Sequence, residues 1–111
     1  MAQYQVTRND RHGFVTPGHS LTAAMVPELQ TALRDVLADG VDDLVFDLAD
    51  TAMLDSSGMG LLIAAANSLA RKRGRIRVIN ASPDIVQLLR SMRLADRLGV
   101  SGRAEQETPR G

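Results

Sequence analysis

Between Leu44 and Gly60 the chain reads LVFDLADTAMLDSSGMG, a segment that gathers carboxylates at Asp47, Asp50 and Asp55, hydroxyls at Ser56 and Ser57, and glycines at 58 and 60. It runs from a buried-strand pattern into a helical one, the place where sites form in α/β sheets. The chemistry open to it is the acceptance of a phosphoryl group. A serine at a helix N-terminus faces free backbone N–H groups and the positive end of the dipole, so its own domain tolerates a phosphate there. That phosphate adds about 1.5 to 2 negative charges and three acceptor oxygens. On a small, partly apolar surface around Met59, such a change would expel or exchange a docked partner. The structural alternative is that Asp55 or Ser56 caps the helix while the glycines let the backbone turn.

Other chemistries find no support. His12 and His19 stand seven apart in loop-like sequence and the chain has no cysteine, so no metal site is expected. DSSG is not the G-x-S-x-G elbow of a serine hydrolase. An acyl-phosphate site at Asp47 or Asp50, as in a response-regulator receiver, would need an acidic pair after the first strand and a lysine on a late strand. Only Asp10 stands near the first strand, and Lys72, the sole lysine, falls at a helix end. The chain is therefore expected not to be an enzyme and to hold no cofactor of its own. The cations at Arg71, Lys72, Arg73, Arg75 and Arg77 lack neighbouring aromatics for base stacking, which argues against nucleic acid as a partner.

Positioning the segment falls to a short series of elements. Two weak strand patterns at 4–7 and 13–16, separated by Arg8-Asn9-Asp10-Arg11, predict a hairpin. Met25, Val26, Leu29, Leu33, Val36 and Leu37 carry a one-faced helical spacing, with Pro27 in the first turn and Gly40 at the end. The apolar run at 44–48 predicts a central strand covered on both faces. A helix follows DSSG, burying Leu61, Leu62, Ala65 and Leu69, with Gly74 closing it. Residues 75–79 form another strand. Ser82-Pro83-Asp84 opens a helix whose buried face is Ile85, Val86, Leu88, Leu89 and Met92, and a short turn follows through residues 94–98. The order β-β-α-β-α-β-α implies a mixed sheet of four or five strands with helices mainly on one face.

Composition is consistent with this frame. A chain of 111 residues supports one domain, which spans 1–100, with a polar, disordered tail at 101–111. With 13 Lys+Arg against 13 Asp+Glu, the neutral chain exerts no general pull on phosphate backbones or anionic membranes. No run approaches the ~18 apolar residues of a membrane span and the N-terminus lacks a signal-peptide core, so no membrane insertion and a cytoplasmic location are expected.

In combination, LVFDL, LDSSGMGLL, RIRVIN, ASPDIVQLL and RLADRL make the sequence resemble the STAS domain family, over approximately residues 4 to 100. Within that family it is similar to the single-domain bacterial anti-sigma factor antagonists. The resemblance implies an α/β, single STAS-like domain that works as a switch. Unphosphorylated, it would bind an anti-sigma factor, itself a serine kinase, and free a sigma factor. Phosphorylated by that kinase with ATP, it would let go, and a PP2C-type phosphatase would reset it. The first serine of DSSG, Ser56, matches the phosphoacceptor, with Ser57 as the alternative. The implied partner surface comprises Asp55, Ser57, Gly58, Met59 and Gly60, together with Gly18, His19 and Ser20. A Gly-Glu-Leu-Asp-like loop common in the family reads Gly18-His19-Ser20-Leu21 here, placing Leu21 at an acid's position and Ala24 at a threonine's. That departure keeps a second reading open, a non-switching STAS scaffold of a lipid-transport or signalling complex in which Ser56 only caps.

Overall fold

The computed structural model describes residues 4–102. Its first elements are the antiparallel strands β1 (Gln5–Asn9) and β2 (His12–Thr16), joined by the two residues Asp10 and Arg11. Asp10 takes a left-handed φ of 59°, which aspartate tolerates better than most residues and which the tight reversal requires. After β3 (Ser20–Leu21), helix α1 (Val26–Ala38) starts with Pro27 in its first turn and buries Leu29 and Leu33. Gly40, at φ 105°, ends it.

Strand β4 (Asp43–Asp47) follows, then β5 (Met53–Leu54), helix α2 (Ser56–Arg71), β6 (Arg75–Ala81), helix α3 (Pro83–Ser91) and β7 (Val100–Gly102). The main sheet has five strands in the order β1-β2-β4-β6-β7. All pairs except β1 with β2 are parallel, as strands joined through helices must be, while β3 and β5 form a separate parallel pair.

The side-chain alternation assigns the two faces. Val15, Leu44, Phe46, Ile76 and Val78 form the inner face, and the buried residues of all three helices join them in one aliphatic core. The other face presents Thr7, Phe14, Val45 and Arg77 in one row. Val45 on that face is only 6% exposed while Leu44 and Phe46 are fully buried on the inner one, so β4 is the central strand covered on both faces that its apolar run predicts, whereas Phe14 beside it is 45% exposed.

Four expectations change. The pair β3 and β5 was not foreseen, since two-residue strands are too short to show a period. Strand β7 includes Ser101 and Gly102, where a disordered tail was expected to begin; residues 103–111 lie outside the described residues. Met92 lies 53% exposed at the α3 terminus rather than in the buried face. Gly74 does not supply the left-handed turn after α2. Arg73 takes that conformation at φ 59°, and glycine stands at 74 because a Cβ would run into the Asp42 carbonyl oxygen.

Candidate functional site

The exits of β4 and β6 are tied together first. Asp47 Oδ1 accepts from the Ala49 N–H at 3.0 Å and from Asn80 Nδ2 at 3.1 Å. The chain then turns through Thr51, a buried polar side chain only 1% exposed, whose hydroxyl donates to the Gly18 carbonyl at 2.6 Å. That carbonyl follows a left-handed backbone at φ 92°, accessible because residue 18 is glycine. The zipper continues as Ala52 N–H donates to the His19 carbonyl at 2.7 Å, Ser20 and Leu21 pair with Met53 and Leu54, and Asp55 N–H donates to the Leu21 carbonyl at 3.4 Å. The two sequence-distant segments GHSL and DSSG are thereby side by side.

Asp55 is the junction. In extended conformation it is the N-cap of α2, its Oδ1 accepting from Gly58 N–H at 2.9 Å. Its Oδ2 reaches across to accept from Ala23 N–H at 3.0 Å. These N–H donors, Gly58 foremost and Ala23 next, stabilise the carboxylate and hold its pKa below the ordinary value. One side chain therefore fastens the start of α2 to the loop before α1.

Because Asp55 makes the cap, Ser56 does not. Ser56 is the first residue of α2 and is exposed, with its backbone among the N–H groups of the first turn. The adjoining residues divide by environment. Ser57 and Met59 are half-buried, and Met59 packs against the core. Gly58 is buried, and a Cβ there would run into the Leu21 carbonyl oxygen and stand 2.8 Å from Leu54 Cδ1, so α2 can sit against β3 only with glycine at this position. Gly60 is exposed with open space around it. The two glycines grouped together in the sequence reading thus serve different ends: one permits close packing and the other leaves the helix surface bare.

Gly18, His19 and Ser20 lie along the same surface, His19 exposed and Ser20 in β3. Leu21, the residue that the family resemblance set at an acid's position, is fully buried in the core. Sequence reasoning missed Thr51, whose hydroxyl in a turn-like stretch gave no sign of its distant acceptor. His12 lies far along the chain from this site, its Nδ1 3.2 Å from Asp43 Oδ2. Among the described residues no group of three or more His, Cys, Asp or Glu could hold a metal ion, and no helix is long and apolar enough to cross a membrane.

Comparison with known proteins agrees with this geometry. The STAS domain family model matches residues 3–106. An anti-sigma-B factor antagonist of Staphylococcus aureus is 27% identical over 103 residues, covering 93% of this chain and 95% of that protein. The anti-sigma factor antagonist SpoIIAA in its unphosphorylated form superimposes with a TM-score of 0.80 at 17% identity, covering 93% of this chain and 91% of the other. The Bacillus cell fate determinant SpoIIAA in the phosphorylated form gives 0.74 at 17% identity, over 93% and 95%.

Proposed function

We propose that this chain, which belongs to the STAS domain family, is an anti-sigma factor antagonist switched by phosphorylation of Ser56. Unphosphorylated, it binds an anti-sigma factor that is also a serine kinase and so frees a sigma factor. With ATP that kinase phosphorylates Ser56, the complex separates, and a PP2C-type phosphatase restores the binding form. The chain itself catalyses nothing, and the exchange takes place in the cytoplasm.

The observation that carries this reading is the division of labour between adjacent residues. Asp55 satisfies the cap, so the exposed Ser56 hydroxyl is left over at the N-terminal end of α2. A phosphoryl group there meets the positive end of the helix dipole and the first-turn N–H donors, so the domain stays folded. A partner covering the same spot would have to desolvate a dianion, which costs far more than covering a hydroxyl. The names of the Staphylococcus relative and of both SpoIIAA structures support the antagonist role and the existence of two phosphorylation states in this fold. The scaffold reading rests on the altered GHSL loop, and the capping bond it assigned to Ser56 is made by Asp55.

The test is incubation with ATP and each anti-sigma factor kinase encoded in the same genome, followed by mapping of phosphate by mass spectrometry. Phosphate is expected on Ser56, and Ser56→Asp should bind that kinase at least about tenfold more weakly than Ser56→Ala, about 1.4 kcal/mol. Phosphate on Ser57 alone would move the site. No phosphate on either serine, with Ser56→Asp binding as tightly as the parent chain, would overturn the switch.

A further inference from the structure

Beside the Ser56 surface, the gap between β5 and α3 opens into a groove of about 320 Å³. Its walls include Met53, Leu54, Ile85 and Leu88, and the carboxylates of Asp55 and Asp84 also line it. Of the three large hydrophobic side chains left exposed among the described residues, Met53, at 56%, lines the groove, and Met92, at 53%, caps the end of α3 four residues on from the groove-lining Leu88. Methionine is flexible and polarizable, suited to receiving an incoming apolar side chain. The charge of the groove is of one sign: Asp55 and Asp84 line it with no basic residue beside them, and among the described residues neither meets a cation.

We propose that this groove receives an amphipathic helix of the partner protein, with its apolar stripe on Met53, Leu88 and Met92 and a cationic residue over Asp55 and Asp84. A helix suits the shape, because apolar anchors three and four residues apart match the spacing of Leu88 and Met92. A cation suits the charge, because Asp84, which meets no cation, and Asp55, whose oxygens accept only from backbone N–H groups, leave two negative charges beside an apolar floor that favour an opposite charge and disfavour an acidic ligand. This rests on the proposed function only for the identity of the protein that brings the helix, and it extends the contact surface from the start of α2 along α3.

The chain labelled with [methyl-13C]methionine is titrated with a synthetic amphipathic peptide of about 18 residues, carrying leucines on one face and arginines on the other. A matched peptide has glutamate in place of arginine. The Met53 and Met92 methyl signals are expected to shift with the cationic peptide and not with the acidic one. Leu88→Asp should abolish the shift, and Asp84→Lys should weaken binding at least about fivefold; both sites are solvent-accessible enough for the fold to survive, which the remaining methyl signals verify. No shift, equal shifts with both peptides, or insensitivity to Asp84→Lys would overturn the proposal. So would movement of the same methyls on diluting the chain alone, which would assign the groove to a second copy. The titration needs no kinase, so its failure is distinct from failure of Ser56 to be phosphorylated.

Discussion

The entry and exit ends of the parallel strands are built from similar residues and end up chemically opposite. At the entry end, several charges pair with one another. Arg8 pairs with Asp39, Arg11 Nε donates to Asp42 at 2.9 Å, and Asp43 lies 3.2 Å from His12 and 3.5 Å from Arg77. The only lysine, Lys72, donates to the carbonyls of Leu37 and Val41 at 2.7 and 3.1 Å, satisfying acceptors at and just beyond the end of α1. At the exit end, Asp55 spends its oxygens on backbone N–H groups, Asp84 meets no cation among the described residues, Ser56 is exposed and Met53 projects outward. Helix α2 spans both ends, and each is held by a glycine pressed against a backbone carbonyl, Gly58 on Leu21 and Gly74 on Asp42. Similar close packing with unequal ion pairing is what the proposed switch would use: packed backbone at both ends, with the exposed serine and Asp84 at one of them.

The comparison is broken most severely at those glycines. Gly58→Ala and Gly74→Ala should each cost about 3 kcal/mol of stability in urea denaturation, because backbone rather than a pliable side chain opposes the new Cβ. Only Gly58→Ala should also displace the GHSL loop, visible as changed amide shifts at His19 and Ser20; equal disturbance of that loop by Gly74→Ala would deny that the ends are separable. Next, Asp55→Asn should destabilise at neutral pH. The folded carboxyl pKa is depressed below its unfolded value near 3.9, so the stabilisation is complete above that value and is lost as pH falls through the folded pKa. Wild type and Asp55→Asn should therefore differ most above about pH 4 and converge below it, as read from thermal melts across pH. Lys72→Met should cost about 1 kcal/mol through the two lost carbonyl bonds and leave the proposed phosphorylation of Ser56 untouched. Smallest is Gly60→Ala, which should stabilise by about 0.5 to 1 kcal/mol, since the site is open and alanine favours a helix interior.

Much of the framework was legible because it repeats. The stripe through Leu29 and Leu33, the run LVFDL, and the Ser82-Pro83-Asp84 helix start each carry a period or a cap that a linear reading detects, and α1, β4 and α3 appear where those signals stand. The candidate site was legible as a motif, DSSG, but not as an arrangement. Whether Asp55 or Ser56 capped the helix stayed open until the Asp55 bonds to Gly58 and Ala23 were seen. Thr51 and Lys72 were passed over because their partners, Gly18 and Leu37, lie more than thirty residues away. Strands β3, β5 and β7 were passed over because two or three residues hold no periodicity.

The sequence by itself determined an aliphatic α/β domain, the order of its larger elements and a hydroxyl at the start of a helix, since these depend on local spacing and backbone preference. Tertiary structure alone decided which hydroxyl is free, which glycine is indispensable and which carboxylates meet no cation. Those properties depend on what chain-distant backbone comes within hydrogen-bond or van der Waals reach, and only the packed sheet and helices bring it there.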